Sequence, residues 1–288
     1  MTKYINFGAI LAASIVFASP SCSAEPLVES NSTVISEVKI GDEIKFCDDC
    51  PIFVRVPSAP PKLRPVIYVA KFELTWKNYL AAYRDGSCQL PNSEPAAVNT
   101  YLRLTDKLQI DWPIHILGSN EVDCYLGWLH RKSGKKIVIP TEAEWEWFAA
   151  AGSPALYPWG DLPDLKMAAV KGSTISADRQ NPQTAKLVWP HISGVKVGSF
   201  PPNNWGLYDV IGNLPELTST VISGEDRLRS NPKSEFARQT RDKNSVVIKS
   251  SHWWIDEIPK DGIRHKSHSV VWNDRYLTKV AIRAIIIK

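Results

Sequence analysis

The chain has 288 residues and a formal net charge of +4, with 44 % hydrophobic and 22 % charged residues. These proportions exclude a disordered chain, a collagen-like repeat and a protein with many membrane spans. The 21 prolines and 11 tryptophans are unusual, and they favour a loop-rich fold in which large aromatic rings pack between irregular segments. No Lys/Arg run with interleaved aromatics is present, so a nucleic-acid partner is not expected.

Residues 1–24 have the pattern of a secretory signal peptide. Lys3 precedes an apolar stretch, and small residues follow up to Ala24. We expect cleavage after Ala24 and a periplasmic or secreted mature protein. No stable membrane span is expected after cleavage, because the stretch is too short for a permanent span. An uncleaved anchor and lipid attachment at Cys22 are the alternatives.

The expected mature chain keeps four cysteines, Cys47, Cys50, Cys88 and Cys124. An even number in an exported chain favours disulfides, and three pairings are open. The spacing of Cys47 and Cys50 also occurs in redox dithiols and in zinc sites. No second pair of this kind is present, and Pro51 follows where a redox motif would open a helix. We therefore favour a local structural bridge.

Residues 25–44 are predicted to form a polar lead-in, and residues 45–288 a single domain. Strands are expected at residues 52–56 and 66–74, with a proline-rich turn between them. A helix is then expected after Thr75. Its predicted apolar stripe consists of Trp76, Tyr79, Leu80 and Tyr83.

A second helix is predicted from Ser119 to the residues before Gly134, and a short strand follows at residues 136–139. The buried face of this helix is expected to contain Val122, Tyr125, Leu126 and Leu129. Thr141 and Glu144 then have the spacing of a capping box, in which each side chain bonds the other residue's amide. The helix that they start is expected to bury Trp145, Phe148 and Ala149 and to end at Gly152.

The periodicity fails beyond Gly152, where Gly, Pro, Asn and Trp recur. Short β-rich segments remain at residues 246–248 and 280–287, and the latter is expected to be a buried strand. The pattern predicts one α+β domain with two or three short helices, small strands and much ordered loop.

An ordered series of motifs indicates a family. It includes Phe46-Cys47-Asp48-Asp49-Cys50-Pro51, residues 123–129, residues 139–147, Tyr157-Pro158-Trp159-Gly160-Asp161 and residues 205–213. Together these motifs resemble the formylglycine-generating enzyme, or sulfatase-modifying factor, family over roughly residues 45–288. The resemblance implies a variant of the C-type lectin-like fold, with long loops and often bound calcium.

The departures from the family pattern bear on chemistry. The resemblance implies that oxygen-dependent members use a C-terminal cysteine pair to bind copper and oxidise a substrate cysteine. No cysteine follows Cys124 here, and a thiolate is the soft ligand that Cu(I) requires. Copper binding and formylglycine formation are therefore not expected. Of the usual Gly-Asn-Val-Trp-Glu-Trp segment, Gly212, Asn213 and Glu216 remain, and the closing Gly-Phe-Arg is Ala281-Ile282-Arg283.

The resemblance also implies a calcium ion near Gly212 and Asn213. Asn213 and Glu216 offer side-chain oxygens and Leu214 offers a carbonyl, which are ligand types that calcium prefers. The alternative is that Asn213 and Glu216 only hydrogen-bond the loop, as turn residues do.

A candidate catalytic or ligand-binding surface consists of His252, Trp253, Trp254, His265, His268 and Arg283. Imidazoles near carboxylates can bind a transition metal, and aromatic and Arg side chains dominate peptide interfaces. A solvated polar loop and a core position for Trp253 are the alternatives. No GxSxG elbow, HExxH helix, GxGxxG turn or phosphate-binding loop is present.

Two functions follow from this sequence. The first is an exported sulfatase-modifying-factor-like protein that no longer makes formylglycine and binds a peptide, protein or glycan. The second is an oxidative maturation enzyme for an exported peptide or protein on the same scaffold.

Overall fold

A computed structural model describes residues 39–91, 111–115, 117–173, 194–230, 245–252, 257–264, 266–271 and 280–288, all within one unit of the chain, residues 38–288. The predicted signal peptide and residues 25–38 of the predicted lead-in lie outside the described residues, whereas residues 39–44 of the lead-in are described and include the first strand. In chain order, the elements are β1 (Glu43–Ile44), β2 (Phe53–Arg55), β3 (Val66–Ala70), α1 (Trp76–Arg84), α2 (Ser119–Ser133), β4 (Lys136–Val138), α3 (Glu142–Ala150), β5 (Glu216–Ile222), α4 (Gly224–Ser230), β6 (Ser245–Lys249), a 3-10 turn (Gly262–Arg264), β7 (Lys266–Val271) and β8 (Ile285–Ile287).

The first sheet is antiparallel and has the order β1-β2-β3-β8-β4, so the last strand of the chain lies between β3 and β4. The predicted strands at residues 52–56, 66–74 and 136–139 are confirmed as β2, β3 and β4, each shorter than expected. Residues 280–287 are all buried, as predicted, but only the last three of them form a strand.

Both faces of the first sheet are covered. Along β2, Phe53 belongs to one apolar cluster, with the buried faces of α1 and α2, and Val54 to the other, with α3. Ile286 and Ile285 of β8 divide in the same way. This alternation follows from the period of two along a strand, and it explains why the strands are apolar on both faces.

The capping residues define where two helices begin. Thr75 Oγ1 accepts from the Asn78 amide at 3.3 Å, and Asn78 Oδ1 accepts from the Thr75 amide at 3.3 Å. Trp76, Tyr79 and Leu80 are buried as predicted, but Tyr83 is 39 % exposed and Ala82 takes its place in the core.

The predicted capping box of α3 is confirmed. Thr141 Oγ1 accepts from the Glu144 amide at 3.3 Å, and Glu144 Oε2 accepts from the Thr141 amide at 2.8 Å. Trp145 and Phe148 are fully buried. The helix ends one residue earlier than predicted, because Ala151 adopts the left-handed conformation, with φ of 48°.

The second sheet is antiparallel and has the order β5-β6-β7. The strand predicted at residues 246–248 is confirmed as β6, whereas β5 and β7 were not predicted. Glu216 at the start of β5 also pairs with Ala281, which connects this sheet to the segment before β8. The two antiparallel sheets and separate short helices confirm the α+β class. In the described ranges, no helix has the length and apolarity needed to cross a bilayer.

The disulfide prediction is confirmed, and the structure selects one of the three pairings. Cys47 bonds Cys50 across a separation of three residues, and Cys88 bonds Cys124 across a separation of 36. All four sulfurs are therefore bonded, and none is left as a thiolate for a zinc site. The second bridge joins α2 to the segment that follows α1.

Candidate functional site

A buried ion pair lies where the two sheets meet. Arg283 precedes β8, Glu216 begins β5, and both are fully buried. Arg283 Nη2 donates to Glu216 Oε1 at 2.6 Å, and its Nε lies 3.0 Å from each carboxylate oxygen. Trp145 Nε1 donates to Glu216 Oε2 at 2.7 Å. Both oxygens of the Glu216 carboxylate therefore accept hydrogen bonds from N–H donors. These donors belong to Arg283, just before β8, and to Trp145 in α3.

The rest of the Arg283 guanidinium bonds the backbone. Nη1 donates to the carbonyls of Ala70 and Lys71 at 3.0 and 3.1 Å, and Nη2 donates to the Tyr208 carbonyl at 2.8 Å. A buried charge is tolerated only when it is paired and hydrogen-bonded, and this geometry meets that condition. One side chain therefore ties together β3, the loop at residue 208 and β5.

Two further carboxylates, Glu73 and Asp209, are buried beside this pair. Glu73 accepts from Asn213 Nδ2 at 2.5 Å and from the Leu214 amide at 3.1 Å. Asp209, with φ of 58°, accepts at Oδ2 from the Gly198 amide at 2.7 Å. Its Oδ1 is buried and has no hydrogen-bond partner in the described part of the chain.

The cluster contains three carboxyl groups and one guanidinium. Burial raises the pKa of Glu73 well above its usual value, and the charges of Asp209 and Glu216 raise it further, against the opposing effect of Arg283. Burial also raises the pKa of Asp209 to about 6, although the Gly198 amide and Arg283 favour its charged form. One guanidinium thus faces three carboxyl groups, and the two that it does not bond take up protons more readily than usual.

Asn213 and Glu216, two of the three residues predicted to hold calcium, both belong to this cluster, but their side-chain oxygens already have donors. Asn213 Oδ1 accepts from the Val195 amide at 2.8 Å, and both oxygens of Glu216 face Arg283. Within the described ranges, no group of three His, Cys, Asp or Glu side chains is arranged to hold a metal. The side chains of Asn213 and Glu216 therefore fit calcium poorly, and calcium binding at Asn213, Leu214 and Glu216 stays a prediction for metal analysis.

The candidate surface is only partly described. Trp253, Trp254 and His265 lie outside the described residues, and His268 is placed by its backbone alone, opposite Ile248 in the second sheet. His252 is buried, with 5 % exposure. The expectation that Arg283 lines a ligand groove is wrong, because its guanidinium is fully buried and bonded to Glu216 and to backbone carbonyls.

Ser250 holds the segment that leads to His252 against the loop at Gly212. Its Oγ accepts from the Gly212 amide at 3.0 Å and donates to the Gly212 carbonyl at 3.2 Å. Gly212 has φ of 83°, and a Cβ there would lie 2.3 Å from the Ala169 carbonyl oxygen. The position therefore requires glycine for both conformation and space.

Two of the cavities in the described part of the chain have a buried carboxyl group of this cluster at their wall. The larger one, of about 260 Å³, lies beside the Cys47–Cys50 bridge and has Glu73 at its wall. Its other lining residues include Lys45, Asp48, Cys50, Phe72, Lys77 and Lys196. The smaller one, of about 120 Å³, is lined by Trp159, Met167, Pro201 and Asp209, among others. Neither cavity was predicted from the sequence, because each is formed by segments far apart in the chain.

These features define an α+β domain with a buried arginine–carboxylate core and long connecting loops. The model of the sulfatase-modifying factor enzyme 1-like domain family matches residues 38–275. The chain therefore belongs to this family, as the resemblance predicted. It is a divergent member, because it has no cysteine after Cys124.

Curated relatives match only part of the chain. A formylglycine-generating enzyme of Mycobacterium tuberculosis is 36 % identical over 104 residues, which are 36 % of this chain and 32 % of that protein. The mouse inactive C-alpha-formylglycine-generating enzyme 2 is 30 % identical over 138 residues, 46 % of this chain and 39 % of the relative. The matched part thus spans less than half of each of these relatives.

Solved structures show the same fold over more of the chain. The structure of PvdO from Pseudomonas aeruginosa has a TM-score of 0.56 at 20 % identity and covers 87 % of this chain and 99 % of its own. Treponema denticola variable protein 1 has a TM-score of 0.52 at 13 % identity, covering 86 % of this chain and 99 % of its own. At these identities the likeness describes the fold.

Proposed function

We propose that the protein is an exported sulfatase-modifying-factor-like protein that does not generate formylglycine and binds a peptide, protein or glycan. The absence of any cysteine after Cys124 carries this proposal. The four cysteines of the domain are joined in two disulfides, so the described residues offer no thiolate to Cu(I). The mouse relative is named an inactive enzyme, which supports the proposal that this protein does not generate formylglycine.

The buried core supports a binding role for the loops. Arg283 and Glu216 fix the segments around them without reaching the surface, so the scaffold can stay rigid while loop residues differ. We assign the partner to the larger cavity, because it has about twice the volume of the smaller one and is lined by both charged and aromatic side chains. We also propose that the domain has the C-type lectin-like arrangement that the family resemblance implies.

A peptide oxidation assay tests the first half of the proposal. The mature protein, loaded with copper, is incubated with a cysteine-containing sulfatase peptide, and the peptide mass is followed. The M. tuberculosis relative, named a formylglycine-generating enzyme, serves as the parallel reaction. We expect no change of peptide mass with this protein. Copper-dependent oxidation of the peptide cysteine would contradict the proposal.

Array screening tests the second half. The mature protein is applied to peptide and glycan arrays, and each ligand found is titrated by calorimetry. Lys196→Ala, which changes the cavity wall, should weaken binding at least fivefold, whereas Lys132→Ala, which does not line the cavity, should not. An absence of saturable binding would refute the binding role. A stoichiometric redox metal in the purified protein would favour the oxidative maturation enzyme.

A further inference from the structure

The Cys47–Cys50 bridge lies at the rim of the larger cavity. Cys47 is partly exposed, whereas Cys50 is 2 % exposed and lines the cavity wall. Lys45 and Lys77 line the same wall. A molecule that enters the cavity therefore comes next to this disulfide. The Cys88–Cys124 bridge lines neither of the two cavities described above.

The loop that carries the bridge is held by contacts that do not involve sulfur. The Cys50 amide donates to the Cys47 carbonyl at 3.1 Å, and Asn78 Nδ2 donates to the Asp49 carbonyl at 2.9 Å. The rings of Phe46 and Phe53 pack with their centroids 6.0 Å apart. Opening the S–S bond thus leaves two thiols held next to each other, and the fold can keep its shape in both redox states.

The two disulfides restrict the unfolded chain to different degrees, although their cysteines are similarly exposed. Each bridge has one partly exposed and one buried cysteine, Cys124 and Cys88 in the second bridge. The second bridge closes a ring with a separation of 36 residues, whereas the first closes one with a separation of three. A small ring restricts the unfolded chain much less than a large one. A structural role therefore explains the second bridge better than the first.

The charges around Cys50 can accommodate a leaving thiolate. Lys45 is exposed and forms no ion pair with a described carboxylate, while Lys77 Nζ lies 3.7 Å from Asp49 Oδ1. Nearby ammonium groups stabilise a thiolate and speed its departure, and Asp48 in the same wall opposes them. Lys45, which pairs with no carboxylate in the described ranges, is the cation that we expect to contribute most.

We propose that Cys47–Cys50 is an exchangeable disulfide that accepts two electrons from a peptide or protein carrying two cysteine thiols. A partner thiolate attacks Cys47 Sγ, the S–S bond breaks, and Cys50 leaves as a thiolate. The second partner thiol, after losing its proton, attacks the mixed disulfide and releases Cys47 as a thiolate. The partner is oxidised to a disulfide, the protein is reduced to a dithiol, and the two partner protons are taken up by Cys47 and Cys50.

This proposal uses the same cavity as the proposed binding function but can fail or hold separately, because disulfide exchange does not require a ligand found on an array. The first experiment uses the unaltered mature protein. It is treated with dithiothreitol for increasing times, the thiols are blocked with iodoacetamide, and each cysteine is located by peptide mass mapping. We expect Cys47–Cys50 to open at least ten times faster than Cys88–Cys124, with unchanged circular dichroism. Equal or slower opening, or loss of the dichroism signal as it opens, overturns the proposal.

The second experiment traps the mixed disulfide. Cys50→Ser should form a stable adduct between Cys47 and a synthetic peptide whose single cysteine is activated as a mixed disulfide with thionitrobenzoate, which leaves as its thiolate when Cys47 attacks, and Cys47→Ser should form at least tenfold less adduct. Lys45→Gln should slow opening of the native bridge about threefold, with Lys45→Arg close to the native rate. Equal trapping in both cysteine variants contradicts the assignment. If either variant fails to fold, the opening rates of the native protein decide.

Discussion

The sharpest test of the buried core is the replacement Arg283→Met. Met has similar length but offers no donor, so Glu216 loses every N–H that Arg283 provides and keeps the one from Trp145. The three backbone carbonyls that Arg283 bonds lose a donor as well. Glu216 would then be a buried carboxylate beside two others without a facing cation. We expect a severe loss of stability.

The magnitude follows from burial. Removing one partner of a buried ion pair costs about 3–5 kcal/mol, because the remaining charge stays desolvated. Each unsatisfied buried carbonyl adds about 1 kcal/mol, although these costs overlap. Since a domain is stable by about 5–15 kcal/mol in total, Arg283→Met should lose a third or more of that stability. The double variant Arg283→Met/Glu216→Leu removes both charges and should be more stable than Arg283→Met alone.

Urea unfolding of the mature protein, followed by tryptophan fluorescence and circular dichroism, measures these differences. Lys132→Met is the matched control, because its ion pair with Asp85 at 2.8 Å is on the surface, where water screens the attraction, so it should lower the free energy of unfolding far less than Arg283→Met. The reasoning is refuted if Arg283→Met costs no more than this control. It is also refuted if the double variant is less stable than the single one.

Two further predictions concern stability. Burial raises the pKa of Asp209 from 3.8 to about 6, so the folded protein binds a proton at Asp209 more tightly than the unfolded chain does. The stability that this proton provides is fully present below about pH 4 and is lost as the pH rises through about 6. Asp209→Asn should flatten this part of the pH profile of urea midpoints and add up to about 3 kcal/mol at pH 7; parallel profiles would argue against it. Replacing Cys88 and Cys124 by Ser should cost about 4 kcal/mol, against about 2 kcal/mol for Cys47 and Cys50, as loop-closure entropy predicts. Equal costs in unfolding experiments would contradict the entropic assignment.

Elements fixed by short-range contacts were predictable from the sequence. Thr141 and Glu144 bond across three residues, so the start of α3 follows from local chemistry alone. The buried strand β6 is a run of apolar β-branched residues, Val246-Val247-Ile248. In both cases the signal lies within a few residues and does not depend on distant partners.

The strand β5 was missed because its burial changes along its length. Its first three residues are all buried, and the next four alternate between exposed and partly buried positions. Val221, one of the exposed residues, is 59 % exposed. A strand with a charged residue at its start and Thr and Ser in its middle shows no apolar period of two. Thr218 is nevertheless buried, because its hydroxyl donates to the Val247 carbonyl at 2.8 Å. That contact spans 29 residues and has no local signature.

The two carboxylates of the core that the sequence did not indicate are Glu73 and Asp209. Each stands next to buried apolar residues, Leu74 and Val210, in segments that are far apart in the chain. Charged residues are usually exposed, so an isolated acid between apolar neighbours is normally placed at the surface. Arg283 was misplaced for the same reason. A charged residue within a continuously apolar segment predicts a buried partner of opposite charge. This signal could have identified Arg283 as part of a buried ion pair.

The three residues of the Gly212-to-Glu216 segment on which the family resemblance rests each make a structural contact in the fold. Gly212 admits the Ala169 carbonyl, Asn213 joins Glu73 to Val195, and Glu216 pairs with Arg283. None of these contacts requires the missing cysteine pair. The framework therefore holds together without any cysteine after Cys124. These contacts bear on the fold, whereas the proposed loss of formylglycine chemistry depends on the absent cysteines.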